Sequence, residues 1–484
     1  MQPCEEEIAF SPRCRRGVKL LRIYNHYISR TTVLLIGTEI FVLMVMVYFG
    51  AGIRFFGQAE PFPFSFSSLF PEASAFTFVM VLSMAAMGMY QLDSRVDLKD
   101  TFFRLMPSMA LGFAIVTLVF YILPDLYLGR GILGLVMMLA LAAILLTRAA
   151  FLKWSRLGIL ESQAIVLGIG EKAKEFIEQV KNDPRGRGFK IVGFVPLADE
   201  DLKVPPSAVL PKGYSLMTLV NLHGVREIVI AKQERRGGSF PIQDLLECKL
   251  NGIKVTDEAA FFERERGQIR VNSLSPSWLI FGGGFDQSLL RSGIKRAFDL
   301  AASGVLLMVT LPIMLITALC IFFEDRGPVF YRQERVGKGG RTFMVLKFRS
   351  MGNDAEKSGR PQWATTDDPR ITRVGRIIRK LRIDELPQIF NVLNGEMSFV
   401  GPRPERPYFV DQLCAQIPYY NVRHSIKPGI TGWAQVRYGY GSSVEDAVEK
   451  LQYDLYYVKN HSLFLDVIIL LDTVEVVVLG KGGR

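Results

Sequence analysis

Four long apolar runs occupy the first third of this chain, at residues 31–49, 73–91, 106–123 and 132–152. Each is close to the ~20 residues a helix needs to cross a bilayer. Lipid offers no water to satisfy exposed backbone groups, so such runs are restricted to helices. The charges beside them sort by side. The N-terminal stretch (Arg13, Arg15, Arg16, Lys19, Arg22), the loop at 94–104 (Arg95, Lys99, Arg104) and the exit after the fourth run (Arg148, Lys153, Arg156) are basic. The other two connections carry only Arg54 and Arg130. The positive-inside rule then puts both ends of this block in the cytoplasm. Helices buried in a soluble domain would show no such bias. The residues before the first run do not have the pattern of a cleaved signal peptide.

Near Glu161 the texture changes. Ala164-Ile165-Val166-Leu167 reads as a buried strand, and further strands are expected at 190–195, 227–231 and 252–255, with helices near 216–222 and 241–250. Strands alternating with helices predict a parallel α/β sheet. Gly168-Ile169-Gly170-Glu171-Lys172-Ala173 fits the spacing of a dinucleotide fingerprint. The acidic residue expected after the second strand is missing, because that strand ends in Val195-Pro196. Nucleotide binding and a purely structural or subunit-pairing role both stay open for this region.

Residues 274–292, with Gly282-Gly283-Gly284, read as a linker. A fifth apolar run follows at 300–323, with Pro312 in its middle and basic residues on both flanks (Lys295, Arg296; Arg326, Arg332, Arg335). A spanning helix would put one basic flank on the outer face, against the charge rule. A helix that enters, bends at Pro312 and returns satisfies both observations.

The net charge of +11 is concentrated. Residues 326–382 hold 15 Lys and Arg against 5 Asp and Glu, which leaves the rest nearly neutral. This pattern marks a site for small phosphates at a membrane surface and argues against nucleic acid as a partner. Within it, 370–382 reads as an amphipathic helix, with Ile371, Val374, Ile377, Ile378 and Leu381 opposite Arg370, Arg373, Arg376 and Lys380. At its end stand two adjacent carboxylates, Asp384 and Glu385, just before Leu386-Pro387. Proline favours the first turn of a helix, whose N-terminus attracts anions. One carboxylate among cations can attack phosphorus or bind a metal; the plainer reading is a helix cap. Gly401-Pro402-Arg403-Pro404 is a stiff turn presenting a forked guanidinium suited to phosphate. Val336-Gly337-Lys338-Gly339-Gly340 lacks the spacing of a P-loop, the four histidines have no metal-binding spacing, and the five scattered cysteines indicate neither zinc nor a disulfide framework.

Several motifs stand in order. They are Gly327-Pro328-Val329-Phe330-Tyr331-Arg332-Gln333 through Lys347-Phe348-Arg349-Ser350-Met351, Asp368-Pro369-Arg370-Ile371-Thr372, Asp384-Glu385-Leu386-Pro387-Gln388, 401–404 and 428–435. Together they resemble the bacterial sugar transferases of exopolysaccharide synthesis, the polyprenyl-phosphate hexose-1-phosphate transferases. The resemblance covers about 295–459, and the whole chain resembles the large form of that family. It implies a four-helix transmembrane domain (1–152), an α/β Rossmann-like cytoplasmic domain with linker (153–290), and a mainly α, mixed α/β catalytic domain (291–484). The last carries a re-entrant membrane helix at about 296–323, broken at Pro312, where the family often has Ser-Pro and this chain has Leu311-Pro312.

The implied reaction moves a sugar-1-phosphate from a UDP-sugar to undecaprenyl phosphate with Mg²⁺, at the inner membrane of a bacterium, through two ping-pong steps. Asp384 is then the nucleophile, and Glu385 supports it with the metal or the site geometry. Lys347, Arg349, Arg379 and Arg403 become phosphate contacts, and a homodimer is the expected assembly. The competing functions are a catalytically silent membrane scaffold and a membrane-tethered Rossmann oxidoreductase or epimerase.

Overall fold

The computed structural model describes residues 21–23, 26–56, 68–91, 98–156, 162–181, 189–197, 200–232, 240–271, 284–285, 288–352, 370–439, 441 and 443–478. The N-terminal cations up to Lys19, Arg95, Gly282-Gly283 and Asp368-Pro369 lie outside these residues.

The four apolar runs form helices α1 (Arg30–Phe55), α2 (Phe70–Ala86), α3 (Leu98–Ile122) and α4 (Arg130–Arg156). Three are long and apolar enough to cross a membrane; α2, at 17 residues, is shorter. It stops before the expected Gln91 because Gly88 takes φ +68°, a left-handed turn that glycine adopts without strain. The bundle closes on Leu43, Val47, Phe76, Met80, Leu105, Val136 and Ile144, all fully buried. Outward residues such as Phe41, Phe103 and Leu146 stay exposed, as side chains facing lipid would. Arg148, expected among the charges after the fourth run, instead points into the bundle. Its Nε donates to Glu39 Oε1 at 2.6 Å and its Nη1 to the Met89 carbonyl at 2.6 Å. One cation thus ties α1, α4 and the end of α2. Removing either partner would strand a buried charge, at about 3–5 kcal/mol.

A short hairpin, β1 (Leu21–Ile23) and β2 (His26–Ile28), precedes the bundle in sequence. After the bundle, β3 (Ser162–Leu167), β4 (Phe189–Val195), β5 (Glu227–Ile230) and β6 (Lys254–Asp257) form a parallel sheet in the order β4-β3-β5-β6. The expected strands are all present. The two central strands carry continuous apolar runs, Ala164-Ile165-Val166-Leu167 and Ile228-Val229-Ile230, because both of their faces are covered. Ile165 and Leu167 pack with α6 (Leu216–His223) and α7 (Ile242–Leu250). Val166 packs with Phe176 of α5 (Glu171–Lys181) and with Phe261 and Phe262 of α8 (Glu258–Arg266).

The long helix α9 (Leu289–Asp325) begins inside the expected linker and runs 37 residues. Pro312 lies within it without ending it. The missing proline N–H leaves the carbonyl of Met308 without its usual donor. Two residues earlier, Thr310 Oγ1 donates to the Leu306 carbonyl at 2.7 Å, a contact that tends to bend helices.

The last region packs around Val392, Met397, Val400, Leu455, Leu465 and Ile469. It contains the antiparallel pair β7 (Phe330–Val336) and β8 (Thr342–Phe348), whose connection is the glycine-rich Lys338–Gly340 turn. It also holds the parallel pair β9 (Ser398–Val400) and β10 (Gly429–Thr431). Helices α10 (Arg373–Lys380), α11 (Gln388–Asn394), α12 (Pro407–Gln416), α13 (Trp433–Arg437), α14 (Val444–Asn460) and α15 (Leu463–Val478) complete it. The apolar C-terminal run, α15, is packed into the protein, and its acidic residues are the reason. Asp466 accepts from Lys295 at 2.7 Å and from the Tyr457 hydroxyl at 2.6 Å. Asp472 pairs with Arg437 at 2.9 Å and accepts from Gln91 at 2.8 Å, while Glu475 pairs with Arg104 at 3.5 Å. One helix therefore links this core to the junction of α2 and α3.

Candidate active site

Four pieces of chain meet around Glu385. The first is β8, which carries Lys347. The second is the segment after α10. That helix is shorter than the expected 370–382: Thr372 caps it, its Oγ1 accepting from the Gly375 N–H at 2.9 Å, and Ile371 pairs with Met351 as a β-bridge. Its apolar residues also divide. Ile378 and Val374 pack with Ile321 of α9 and Phe348, whereas Ile377 and Leu381 are 60% and 56% exposed. Arg382 then turns the chain with φ +58° and delivers Ile383–Glu385 as one 3-10 turn before α11. The third and fourth pieces are the two turn-rich loops at 401–404 and 428–431. They are stitched together by Gly401 N–H to the Thr431 carbonyl (2.9 Å) and Gly429 N–H to the Pro402 carbonyl (3.0 Å).

The two neighbouring carboxylates have opposite surroundings. Glu385 Oε1 accepts from Arg403 Nη2 at 2.6 Å and Lys347 Nζ at 3.2 Å, and its Oε2 lies 3.7 Å from Arg382 Nη1. Arg403 is itself held. Its Nη1 donates to Gln435 Oε1 at 2.7 Å, and its carbonyl accepts from Arg423 Nη2 at 2.9 Å. Arg423 is buried and paired with Asp454 at 2.8 Å, with Nη1 donating to the Tyr420 hydroxyl at 2.7 Å. Asp384, by contrast, has its carboxylate in no hydrogen bond or ion pair among the described residues. Neither carboxylate caps α11, which begins at Pro387 without a side-chain cap. The capping reading therefore has no contact behind it.

The electrostatics follow from this asymmetry. Burial favours the neutral form of Glu385, but Arg403, Lys347 and Arg382 outweigh it and hold the carboxyl well below the usual range. Burial, and then the negative charge of Glu385, push Asp384 up to about 6, against the pull of Lys347, Arg403 and Arg379. Burial lowers Lys347, with Glu385 opposing, and the Glu385 charge raises Arg403. At neutral pH both carboxylates are ionised, and Asp384 is the one with open lone pairs.

Of the residues expected at the site, Asp384, Glu385, Lys347 and Arg403 come together, and Arg379 lies close enough for its charge to act on Asp384. The Arg349 guanidinium pairs with Asp325 at the end of α9. Pro312 lies inside α9. Three further residues, Gln435, Arg423 and Arg382, shape the cluster. Gln435 and Arg382 stood within motifs already singled out; Arg423 had no local signal. Among the described residues no group of three or more His, Cys, Asp or Glu gathers as a metal cage. An unbonded carboxylate beside a second one does fit Mg²⁺, which binds through one or two carboxylates plus substrate phosphates.

Residues 290–480 match the family described as bacterial sugar transferase, and residues 85–236 match one described as a CoA-binding domain. The chain is 45% identical over 240 residues to a UDP-N-acetylgalactosamine-undecaprenyl-phosphate N-acetylgalactosaminephosphotransferase of Aeromonas hydrophila, across 50% of this chain and 56% of that protein. It is 44% identical over 197 residues to a UDP-glucose:undecaprenyl-phosphate glucose-1-phosphate transferase of Xanthomonas campestris pv. campestris, across 40% of this chain and 41% of that one. A protein of the same name from Caulobacter vibrioides is 43% identical over 182 residues, across 37% of this chain and 68% of that one. The match thus spans about half the length of the first two relatives. The sugar transferase match encloses every residue that contacts Glu385, and identity of this order extends over two thirds of the Caulobacter protein, so the chain belongs to the bacterial sugar transferase family.

Proposed function

We propose that this chain transfers a sugar-1-phosphate from a UDP-sugar to undecaprenyl phosphate at the cytoplasmic face of a bacterial inner membrane, beginning an exopolysaccharide or related glycan. The observation that carries this reading is the unequal pair: Glu385 is held by three cations, while the carboxylate of Asp384 beside it has no hydrogen bond or ion pair among the described residues. An Asp384 oxygen attacks the phosphorus attached to the sugar. The P–O bond to the bridging oxygen breaks, its electron pair leaves on UMP, and an aspartyl phosphosugar remains. An anionic oxygen of undecaprenyl phosphate then attacks the same phosphorus and returns Asp384 as a carboxylate. No proton has to move in either step. The covalent intermediate lets a water-soluble donor and a lipid acceptor use one site in turn. Lys347, Arg403 and Arg379 offset the charge that opposes a carboxylate approaching a phosphate. Bound Mg²⁺, held by Asp384 and Glu385 with the diphosphate, would supply further charge neutralisation.

The membrane geometry is part of the proposal. At one end of α9, Lys295 pairs with Asp466, and Arg296 donates to the Leu393 carbonyl at 2.7 Å. At the other end, Glu324 accepts from the Arg373 N–H at 2.8 Å, and Arg349 pairs with Asp325. Both ends therefore bind the same core, while residues between them such as Met308 and Phe323 are 80% and 75% exposed. A helix that dips into one leaflet and returns accommodates this; a span would separate its ends by a bilayer. The exposed Ile377 and Leu381, beside exposed Arg376 and Lys380, extend the same membrane-facing surface. The four-stranded sheet is then a Rossmann-like cytoplasmic unit.

The test is purified full-length protein with Mg²⁺, undecaprenyl phosphate and a panel of UDP-sugars that includes UDP-glucose and UDP-N-acetylgalactosamine. UMP release is expected with at least one donor, and with donor alone the intact mass should rise by one phosphosugar. No release with any donor would favour a silent scaffold, and turnover without the adduct would favour direct transfer. A cysteine placed just after Phe323 should react with an impermeant thiol reagent only from the cytoplasmic side; labelling from outside would mean a fifth span.

A further inference from the structure

The turn after β3 has the shape of a diphosphate site, and it lies within the region that matches a family named for CoA binding. In a working fingerprint, glycines let the backbone approach the diphosphate, and unpaired N–H groups at the helix start bind it. Here one N–H of the turn just ahead of the helix is already used. The Ile169 N–H donates to Oε2 of Glu200 at 2.7 Å. The Gly168 N–H donates to the Val195 carbonyl at 2.9 Å, and the Ile169 carbonyl accepts from the Lys203 N–H at 2.9 Å. The segment carrying Glu200 is thus fastened to both sides of one residue of the turn.

The glycines also have an explanation that needs no ligand. Gly168 takes φ +123°, and a Cβ there would lie 2.7 Å from the Ala231 carbonyl oxygen at the end of β5. A Cβ on Gly170 would meet the Glu200 side chain at 3.7–3.8 Å, so the space above the turn is filled by that residue. Glu171 opens α5 with a second carboxylate, and β4 ends in Val195-Pro196, with no acid at the strand's own end to bind a ribose. A diphosphate entering here would displace one carboxylate from its hydrogen bond and lie against another.

We infer that Glu200 seals this turn as a built-in anion, and that the parallel sheet takes neither CoA nor a dinucleotide at Gly168. The residues present do not fit the group the family description implies. What the sheet does hold is the neighbouring core. Through α8, Glu263 accepts from Lys459 at 2.8 Å, and the Gly267 carbonyl accepts from Trp433 Nε1 at 2.8 Å.

The test uses the full chain in detergent, as wild type, Glu200→Ala and Glu200→Gln. Equilibrium dialysis of the wild type against CoA and against NAD⁺ should show no binding tighter than about 1 mM. Hydrogen exchange in the peptide containing Ile169 should be at least about tenfold faster in Glu200→Ala than in the wild type. Glu200→Gln, which keeps an acceptor oxygen, should retain most of the protection. The inference is overturned if CoA or NAD⁺ binds the wild type and slows exchange at this peptide. It is also overturned if Glu200→Ala leaves the Ile169 exchange rate unchanged. The binding measurement needs only the wild type, so it decides even where a variant fails to fold.

Discussion

Two regions of this protein look suited to phosphate, and they differ in what their carboxylates are doing. At the Gly168 turn, Glu200 holds a backbone N–H, so the pattern of a binding loop is present but its donor is occupied. At the 3-10 turn before α11, one carboxylate takes the cations and, among the described residues, leaves its neighbour without a partner. A motif describes the shape of the backbone, whereas reactivity depends on which polar atoms folding leaves unsatisfied. Asp384 is only partly buried, and a carboxylate left open beside clustered cations is a candidate for chemistry.

The largest effect that would break this contrast is on turnover. Asp384→Asn should lower UMP release by at least about 10³-fold, because the variant lacks the proposed nucleophile. Glu200→Ala should stay within about twofold of wild type. Equal losses in the two variants would erase the distinction between them.

A smaller effect sharpens the contrast through pH. The proposed attack requires ionised Asp384, whose carboxyl burial and the Glu385 charge push up to about 6. Wild-type kcat/KM should therefore fall about tenfold per pH unit below that value. Glu385→Gln should lower the rate by roughly 10²-fold, since the Arg403 and Lys347 clamp is lost. It should also move the acid limb to lower pH, because the Glu385 charge is one of the two causes that raise Asp384. Burial is the larger cause and remains, so the limb should not reach the ordinary carboxylate value. A limb that stays in place would mean that another group titrates.

The smallest expected effect is on stability. A carboxyl raised in the folded state favours folding below its unfolded value, and that contribution is lost as pH rises through the folded value. At pH 8 the ionised Asp384 is therefore destabilising, and Asp384→Asn should stabilise by roughly 1–2 kcal/mol. Thermal unfolding at pH 8 should show the higher midpoint, and the gain should shrink toward pH 5. A variant less stable than wild type at pH 8 would contradict the unfavourable setting of Asp384.

Much of the architecture was legible because burial follows local residue type. The strands at 162–167 and 227–230 contain the apolar runs 164–167 and 228–230, and the four N-terminal helices coincide with the apolar stretches to within a few residues at most ends. The exceptions have local causes that tertiary contact brought out. α2 ends early at Gly88, where a side chain would collide with Glu475. The basic stretch 370–382 does not divide into one apolar and one charged face, because Ile378 and Ile377 belong to different surroundings. Asp384, Glu385, Lys347 and Arg403 were found through motifs. The roles of Arg423 and Asp454 behind Arg403 were not, since nothing nearby in sequence distinguishes one charged residue of that kind from another.

Read alone, the sequence determines which stretches leave water, since transfer from water depends on residue type and spacing and needs no particular partner. Tertiary structure alone decides that Arg148 meets Glu39, that Glu200 holds the Ile169 N–H at the Gly168 turn, and that Arg403 and Lys347 converge on Glu385. Those outcomes depend on hydrogen bonds that act over about 3 Å and in one direction. Whether a partner arrives at that distance is settled only when segments far apart in the chain have folded against each other.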